Sequence, residues 1–454
     1  MGIAQATERE RNNRTVTLHL GNTLEEYEWY LTDEGREELI RRVEVADSID
    51  WGHLGDGHSP GCLRLLHFTY HGSYSRQLQL YRGAWIDISI PRVRCLGCEA
   101  VFTIQPSFVV RYKRQHTDAM EKLMTLLFIA EDSYRFAAVS QAFAIDEEHK
   151  GTWNALEATK PLAIEPRALW RLVQWFGQLS PAQLNLALGV DPPQRIIADE
   201  KHAAENGDKA YIPVILTPKD ALIWWIDYLH SVSEEELTAS LERFRGLNER
   251  LESIVAATMD GWEATQKAFC TVFEGITIQE CHLHALMNLS TNLATYKRRR
   301  KDTGQPVSET EEQEIRDAFV KVLKAPSPEE YEQALQELPQ VFDSPPLAQR
   351  KHSLETKQAL FQAWISDEKV ALVTTFLDQC LKFLARKLDN MQTFRHPESA
   401  LRTLNAWAIT RNCWRFLKGA LREGLCPLEL AGAAFDGTPW MQWVNLAMCA
   451  YGFT

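Results

Sequence analysis

The first 187 residues fall into three segments that differ in their pattern of apolar and polar positions. Residues 1–50 are mostly polar, with an alternating, strand-like run "TVTLHL" and a helical period over 32–46. Residues 51–110 hold short alternating runs separated by glycine, "LRLLHFTYHG", "RQLQLYRG" and "WIDISIPRVRC", which predict a small β-rich module. Residues 111–187 show the apolar spacing of helices.

Helix starts can be placed at two points in this helical segment. The run "TDAMEKLMTLLFIAEDS" has Thr117 as a candidate N-cap. The run "EPRALWRLVQWFGQL" has Pro166 in its first turn, where a missing backbone N–H leaves no hydrogen bond unmade. A shorter helix, "YRFAAVSQAF" (134–143), is predicted between them.

Residues 190–300 predict a sheet with helices packed on it. The strands "RIIADE", "AYIPVILT" and "ALIWWIDYL" precede a helix that Ser233 caps, with Glu236 three residues later as in a capping box. Strand "IVAATMD", helix "GWEATQKAFCTVF", strand "ITIQEC" and a helix ending in "YKRRRK" follow. Three strands and then strand and helix in alternation indicate a mixed sheet, so the chain is predicted to be of the α/β class, with α and β elements mixed.

The remaining residues are predicted to be helical. Residues 301–370 are polar, are broken by "KAPSPEE" and "FDSPPLAQRKHS", and are interpreted as an insertion. Strong helical runs in 371–420 are predicted to return to the core, and residues 421–454 form a C-terminal tail.

Composition and charge narrow the class of protein. The 454 residues have no apolar run long enough for a membrane span, and the first fifteen residues lack the apolar centre of a signal peptide. Nine scattered cysteines, with Cys95 and Cys98 as the one tight pair, favour a reducing cytosol and one metal site. The net charge of −12 argues against a generally basic surface, but local basic stripes at 92–95, 111–116 and 296–301 keep nucleic acid as a partner.

Two aspartates stand where predicted strands end. Asp199 follows "RIIA" and Asp260 closes "IVAATMD", 61 positions later (260 − 199). If the two strands are neighbours, the carboxylates meet at one edge of the sheet and stay ionised only around a cation. Carboxylate oxygens favour Mg²⁺ or Mn²⁺. The alternative is that both are turn residues, since Asp260-Gly261 is a common turn pair.

Residues 190–300 resemble the RNase H-like catalytic core of DDE transposases from bacterial insertion sequences. The resemblance rests on "IIADEKH", the three-strand meander after it, "TMDGWEATQKAF" and "ITIQECHLHAL". It implies that Asp199 and Asp260 are the first two metal ligands and that His282 and His284 lie near the rim of the active site. The alternative for both histidines is an ordinary position at a helix start.

A third carboxylate is expected on a helix after the insertion. The segments "FRHPESALRTLNAWAITRN" and "GLCPLELAG" resemble the closing part of the family, and the acid should lie before them. Many relatives would have Glu where this chain has Ala385. Asp378, seven residues earlier on the same helical face, is the preferred third ligand, with Glu398 and Asp389 as alternatives.

The resemblance extends to an N-terminal zinc-ribbon-like module in 51–110. The segment "RVRCLGCEAVFTIQPSFVVRYKR" resembles the second half of such a ribbon, and a C-x-x-C pair can hold Zn²⁺ as thiolates. The first half is looser here, "GHSPGC", and a metal-free ribbon is the alternative. The candidate zinc ligands are Cys95, Cys98, Cys62 and His58, with His53 or His67 as substitutes.

A helix-turn-helix is the remaining DNA-binding element that the resemblance implies. It would consist of 134–143 and 165–179, although the long acidic loop between them leaves amphipathic packing helices as an equal alternative. Basic residues on its second helix and in the basic stripes would contact phosphates. The candidate DNA contacts are Arg111, Lys113, Arg114, Arg167, Arg171, Lys297, Arg298, Arg299 and Arg300.

Together the resemblance implies a bacterial, cytoplasmic, nucleoid-associated DNA transposase that acts as a homodimer on double-stranded DNA. Its reaction would be Mg²⁺- or Mn²⁺-dependent strand cleavage and strand transfer at the element's ends. Two alternatives stay open at this point. One is a transposase-derived DNA-binding protein that has lost catalysis with its third acid. The other is a zinc-stabilised interaction module joined to an unrelated mixed-sheet domain.

Overall fold

The computed structural model describes residues 15–45, 67–80, 85–97, 99–130, 164–391, 393–416, 422–435 and 437–453. The chain is a mixture of helices and strands, as the sequence predicts. It divides into two compact units: a first unit of residues 1–179 and 409–454, and a second unit of residues 180–408. Among the described residues, no helix has both the length and the apolar character needed to cross a membrane.

The elements up to residue 179 are β1 (Thr15–Leu18), α1 (Leu24–Trp29), α2 (Asp33–Glu44), β2 (Phe68–Gln79), β3 (Trp85–Cys95), β4 (Val101–Pro106), α3 (Thr117–Phe128) and α4 (Pro166–Phe176). The elements that follow are α5 (Pro181–Ala187), β5 (Arg195–Glu205), β6 (Asp208–Leu216), β7 (Ile223–Ile226), α6 (Glu234–Arg245), β8 (Ala256–Met259), α7 (Glu263–Val272), β9 (Thr277–Glu280), α8 (His282–Asp302), α9 (Glu309–Leu323), α10 (Pro328–Gln336), α11 (Pro345–Thr356), α12 (Gln358–Phe361), α13 (Ala363–Ser366), α14 (Thr375–Met391), α15 (Pro397–Cys413), α16 (Pro427–Leu430) and α17 (Trp440–Ala450). Two short 3₁₀ helices lie at Glu249–Ser253 and Gln340–Asp343.

The first unit is built on a four-stranded sheet in the order β1-β4-β3-β2. Strand β1 pairs in parallel with β4, with Thr15 opposite Thr103, so the strand of region 1–50 lies in the same sheet as strands of region 51–110. Buried aromatic side chains, among them Tyr27 and Phe102, fill the core beneath it. The C-terminal helix α17 belongs to the same unit, and Asn445 donates hydrogen bonds to the carbonyls of Ser107 and Val109 at 2.9 Å.

Two local predictions in this unit are wrong in detail. The runs predicted as separate strands around Gly72 form the single strand β2, because Gly72 at φ 84° absorbs a register shift between Tyr70 and Ser73 without ending the strand. Thr117 is the first residue of helix α3 and not its N-cap; the N-cap is His116, whose ring accepts a hydrogen bond from the Asp118 N–H. The start of α4 with Pro166 in the first turn is confirmed.

The second unit is built on a five-stranded sheet in the order β7-β6-β5-β8-β9. Strands β7, β6 and β5 are antiparallel, and β8 and β9 run parallel to β5. The predicted mixed sheet is therefore confirmed. Ser233 caps α6 by accepting a hydrogen bond from the Glu236 N–H. The Glu236 carboxylate accepts from the N–H groups of His230 and Ser231, three and two residues before the Ser233 N–H that a capping box would use.

The prediction that the first strand of this sheet ends at Asp199 is wrong. Strand β5 continues to Glu205 and turns into β6 at Asn206 and Gly207, both with positive φ (50° and 98°). This is the tight hairpin that an Asn-Gly pair favours. Asp199 therefore lies within the strand, and the antiparallel pairing of β5 with β6 fixes its backbone opposite Val214.

Residues 301–370 form helices α9 to α13, whose apolar core around Phe319, Tyr331 and Phe342 also includes Leu289 and Leu293 of α8. The segment "FDSPPLAQRKHS" interrupts the helices only near its start, where Ser344 is extended between the 3₁₀ helix Gln340–Asp343 and α11. Its prolines occupy the first turn of α11, where they are tolerated, and the helix runs on to Thr356.

Candidate metal centre

The strands that carry Asp199 and Asp260 are neighbours in the sheet. β5 and β8 pair in parallel with Arg195 opposite Ala256 and Ile197 opposite Thr258, an offset of 61 positions (256 − 195). The same offset separates Asp199 from Asp260 (260 − 199), so the two aspartates stand at one level just beyond the last paired residues. The negative charge of Asp260 contributes to raising the pKa of Asp199.

Asp199, His284 and Asp378 form a cluster that could hold a metal ion. One candidate ligand atom from each lies within 4.8 Å of the other two, and all three side chains are partly exposed. Asp199 comes from β5, His284 from the first turn of α8 and Asp378 from the first turn of α14. The structure therefore brings together two of the three predicted acids and one of the two predicted histidines. We call this set the Asp–His–Asp cluster.

The charges in this cluster depend strongly on one another. Burial raises the pKa of Asp199 to about 6, and the charges of Asp260 and Asp378 act in the same direction. The Glu200 N–H, which donates to Asp199 Oδ1 at 2.8 Å, and the His284 charge oppose this rise. A hydrogen bond with Cys281 and the charges of both aspartates raise the pKa of His284 to about 9, against the effect of burial. The negative charges of Asp199, Asp260 and Asp378 repel one another, and a bound cation would reduce that repulsion.

Thr374 connects the two helices that carry His284 and Asp378. Its buried hydroxyl donates to Asp378 Oδ2 at 3.2 Å and lies 3.4 Å from both His284 Nδ1 and Cys281 Sγ. Its carbonyl accepts the Asp378 N–H at 2.9 Å, which closes the first turn of α14. One threonine thus orients both side chains. Neither Thr374 nor Cys281 was predicted from the sequence, because neither contributes a ligand of its own to the predicted acid triad.

A backbone hydrogen bond connects the start of α8 to the end of β8. Cys281 precedes the helix and its N–H donates to the carbonyl of Met259, the residue before Asp260, at 2.8 Å. Burial raises the pKa of the Cys281 thiol, but hydrogen bonds with His284 and Thr374 outweigh burial and hold it below its ordinary value. His284 is therefore fixed relative to the strand that ends in Asp260.

His282 has a different environment from His284. It is buried, its Nε2 lies 3.0 Å from the carbonyl of Phe361, and its N–H donates to the Leu372 carbonyl at 2.9 Å. Burial lowers the pKa of His282. Its contacts hold the insertion against the sheet, so of the two histidines only His284 lies in the cluster.

A further carboxylate at this edge is already paired. Glu280, at the end of β9, is buried and forms an ion pair with Lys357 at 2.8 Å, and the Lys357 ammonium also lies 3.3 Å from the Gly261 carbonyl. A Cβ at Gly261 would lie 2.6 Å from Glu280 Oε1, so glycine is required for this close approach. The pair lies at the sheet edge beside Asp260, and the Lys357 ammonium neutralises Glu280 without a metal ion.

Glu200, the neighbour of Asp199 in β5, has its own partner. Successive strand residues point to opposite faces of a sheet, and Glu200 Oε1 accepts a hydrogen bond at 2.7 Å from the Thr265 hydroxyl on α7. Burial raises the pKa of Glu200 to about 7, with further contributions from Asp260 and Asp199.

The other candidates for the third acid lie elsewhere. Asp389 is exposed near the end of α14, and Glu398 is exposed on α15 in an ion pair with Arg402 at 2.5 Å. Neither belongs to the Asp–His–Asp cluster. Ala385 is partly buried two turns after Asp378 on α14, where it offers no ligand.

Five of the predicted DNA contacts lie in the first unit, and we call Arg111, Lys113, Arg114, Arg167 and Arg171 together the basic surface. Lys113 lies over the Trp175 ring at 5.6 Å, and burial and the Arg171 charge lower the pKa of Lys113. Among the described residues, no carboxylate forms an ion pair with any of the five. Tyr112, 76% exposed, stacks with Arg111 within this surface.

The predicted contacts on α8 are partly engaged within the protein. Lys297 pairs with Glu312, and Arg300 donates to Tyr296 Oη at 3.1 Å and to the Gln305 carbonyl at 3.0 Å. Arg298 and Arg299 are exposed on the last turns of the helix.

The zinc prediction falls mostly outside the described residues. Cys95 is buried at the end of β3, but Cys98, Cys62, His58 and His53 lie outside the described part of the chain. His67 is exposed, 3.7 Å from Glu44. Residues 134–143, the first helix of the predicted helix-turn-helix, also lie outside it, and the second is α4.

Comparison with known protein families gives a match in the N-terminal part of the chain. Residues 59–136 match a family described as a domain of unknown function (DUF6431). The match spans 78 of the 454 residues (136 − 59 + 1), in the part of the chain that contains β2 to β4 and α3, and does not reach the Asp–His–Asp cluster. No curated protein matches the sequence.

Proposed function

We propose that this protein is a DNA transposase of the DDE type, which cleaves and joins DNA strands at the ends of a bacterial insertion sequence with the help of a divalent cation. Asp199, Asp260 and Asp378 are the acidic residues of the site. The observation that carries the proposal is the convergence of side chains from β5, the end of β8, α8 and α14 at one edge of the second unit's sheet.

The donor set fits a divalent cation. Two carboxylates and one imidazole present ligand atoms within 4.8 Å of one another, and Asp260 stands at the same level of the sheet. Oxygen-rich sites of this kind suit Mg²⁺ or Mn²⁺. A cation bound there would act as a Lewis acid on a phosphodiester. The residues of the chain would hold the cation, while Thr374 fixes the orientation of Asp378 and His284.

The sheet supports an RNase H-like core. Three antiparallel strands are followed by two that run parallel to the first, and the acids lie on the first strand, after the fourth and on a later helix. The helical insertion α9 to α13 separates α8 from α14, as the resemblance leads one to expect.

The basic surface supports DNA as the substrate. Five cations without carboxylate partners among the described residues stand out in a chain with net charge −12. Lysine and arginine clusters bind phosphates through release of counterions. Transposition joins two ends, so a homodimer on DNA, located with the bacterial nucleoid, is part of the proposal, as is a structural Zn²⁺ held by Cys95 and Cys98.

A DNA-binding protein that has lost catalysis is the second candidate. Ala385 favours it, because the resemblance leads one to expect a glutamate at that position. Asp378 argues for an active enzyme, because it lies two turns earlier on the same helix and within the cluster. The pairing of β5 with β8 argues against two unrelated aspartates.

A cleavage assay separates these candidates. The substrate is a supercoiled plasmid that carries the ends of the element encoding the chain, with Mg²⁺ or Mn²⁺ as the cation. The wild-type protein should nick it, and Asp199→Asn, Asp260→Ala and Asp378→Asn should each lose this activity. The controls Asp389→Asn and Glu398→Gln change exposed acids outside the cluster and should cleave normally. Wild-type DNA binding without cleavage would favour the second candidate, and full activity of Asp260→Ala would refute the catalytic assignment.

A further inference from the structure

We propose that His284 is itself a ligand of the cation, so that the site is a mixed nitrogen and oxygen site that selects a transition-metal dication such as Mn²⁺ over Mg²⁺. This inference rests on the proposed function only in requiring that the Asp–His–Asp cluster binds a metal ion. It goes further by assigning the ligand that decides which metal is bound.

The position of the imidazole supports a ligand role. A ring nitrogen of His284 lies within 4.8 Å of a carboxylate oxygen of both Asp199 and Asp378, and all three side chains are partly exposed. His284 lies in the first turn of α8, and the hydrogen bond from the Cys281 N–H to the Met259 carbonyl fixes the start of this helix to β8. The ring is therefore part of the same rigid edge as the acids.

The surroundings of the imidazole resemble those of a metal-bound histidine. A metal-bound imidazole usually donates its second ring N–H to a neighbouring acceptor, and this hydrogen bond orients the ring. Here the Thr374 hydroxyl lies 3.4 Å from His284 Nδ1 and also donates to Asp378, and the Cys281 thiol hydrogen bonds to the same ring. Thr374 and Cys281 are positioning residues for His284.

The donor types predict the preference. Mg²⁺ demands an octahedral oxygen shell and is usually held through one or two carboxylates and water. Imidazole suits first-row transition metals, and Mn²⁺ is the member of that series that also favours carboxylates. Two carboxylates with one imidazole thus offer Mn²⁺ a ligand that Mg²⁺ gains little from.

Pulsed electron paramagnetic resonance on the full chain loaded with Mn²⁺ tests the assignment directly. We expect modulation from a directly bound ¹⁴N nucleus in the wild-type protein, and its replacement by ¹⁵N modulation when histidine is labelled with ¹⁵N. His284→Ala should abolish the signal. His202→Ala, which removes an exposed histidine on β5, should retain it.

Binding measurements complete the test. His284→Ala should weaken Mn²⁺ binding by about tenfold or more, and Thr374→Val should do so by a similar factor, with Thr374→Ser restoring it. Mg²⁺ affinity, measured by displacement of Mn²⁺, should change by less than about threefold. Thermal unfolding of each variant establishes that it is folded.

The outcomes distinguish this inference from the proposed function. Tight Mn²⁺ binding by the wild-type protein without ¹⁴N modulation, lost in Asp199→Asn, would overturn the role of His284 and leave the metal-dependent function standing. Mn²⁺ binding that is the same in wild type and Asp199→Asn would refute both. The wild-type spectrum alone decides the question even if His284→Ala does not fold.

Discussion

Asp199 and Asp378, separated by most of the second unit's sequence, each present a carboxylate oxygen within 4.8 Å of the other and of a His284 nitrogen. Asp199 is held by the ladder between β5 and β6, and Asp378 by the first turn of α14 and by Thr374. The sheet and the helices therefore hold these partly buried negative charges close together. Their mutual repulsion has a cost, because it lowers the stability of the folded protein.

That cost can be measured by neutralising Asp199. Asp199→Asn removes a carboxylate whose ionised form is disfavoured by burial and by Asp260 and Asp378, and the amide oxygen can still accept the Glu200 N–H. In the presence of a chelator at neutral pH, we expect the variant to be more stable than wild type by about 1–3 kcal/mol. Thermal or urea unfolding measures this, and a lower stability than wild type would contradict it.

The Glu280–Lys357 ion pair should be sensitive to the loss of one partner. Lys357→Met leaves the buried Glu280 carboxylate without its cation, and we expect a loss of about 3 kcal/mol in the free energy of unfolding. Adding Glu280→Gln to Lys357→Met should recover most of that loss. Urea unfolding of the two single variants and the double variant gives the coupling energy, and additive losses would show that the pair contributes nothing of its own.

Glu121 in the first unit gives the protein a pH-dependent stability. Burial raises the pKa of Glu121 to about 7, against the Met441 N–H, which donates to it at 3.4 Å. A raised pKa in the folded state means that its contribution to stability is complete below about pH 4.5 and is lost as the pH rises through 7. Glu121→Gln should therefore stabilise the protein at pH 8, by about 1–3 kcal/mol, and have little effect at pH 4.5.

Unfolding curves at the two pH values test this prediction. Glu28→Gln, at an exposed glutamate of α1, serves as the control and should change stability equally little at both. An effect of Glu121→Gln that does not depend on pH would contradict a raised pKa of Glu121 in the folded protein.

The basic surface should contribute to DNA binding in a salt-dependent way. Arg167→Ala with Arg171→Ala removes two cations that have no carboxylate partner among the described residues. We expect weaker binding to duplex DNA and a decrease of about 1.8 in the slope of log affinity against log salt, or about 0.9 for each phosphate contact. Fluorescence anisotropy across a salt series measures both.

Arg402→Ala is the matched control, since Arg402 is already paired with Glu398. It should leave the slope unchanged. A double variant of Arg167 and Arg171 that binds DNA with the wild-type slope would exclude α4 from the DNA interface.

Local pattern predicted most elements of the sheet but not the length of β5. The apolar run and the neighbouring acids suggested that the strand ends at Asp199, yet the Asn206-Gly207 hairpin signal lies seven residues further on and extends the strand. That pair was available in the sequence and identifies the turn. The strand end predicted near Gly72 is wrong for a related reason, because a glycine in a strand can mark a bulge as well as an end.

Only the part of the site that follows from strand order, the proximity of Asp199 and Asp260, was predictable from the sequence. The equal offsets of Asp199 from Asp260 and of β5 from β8 follow from parallel pairing, which the alternation of strands and helices suggests. The choice among Asp378, Asp389 and Glu398 depends on how the insertion returns the chain to the sheet, and Thr374 depends on the same path. Sequence pattern carries no measure of that path, so these contacts required the structure.

Mn²⁺ binding to the full chain, followed by isothermal titration calorimetry, tests the central claim most directly through Asp378. Asp378→Asn removes a carboxylate of the Asp–His–Asp cluster, whereas Asp389→Asn makes the same change three turns later on the exposed part of α14. The account predicts that Asp378→Asn weakens Mn²⁺ binding by about tenfold or more while Asp389→Asn binds as wild type does. Equal affinities in all three proteins would contradict it.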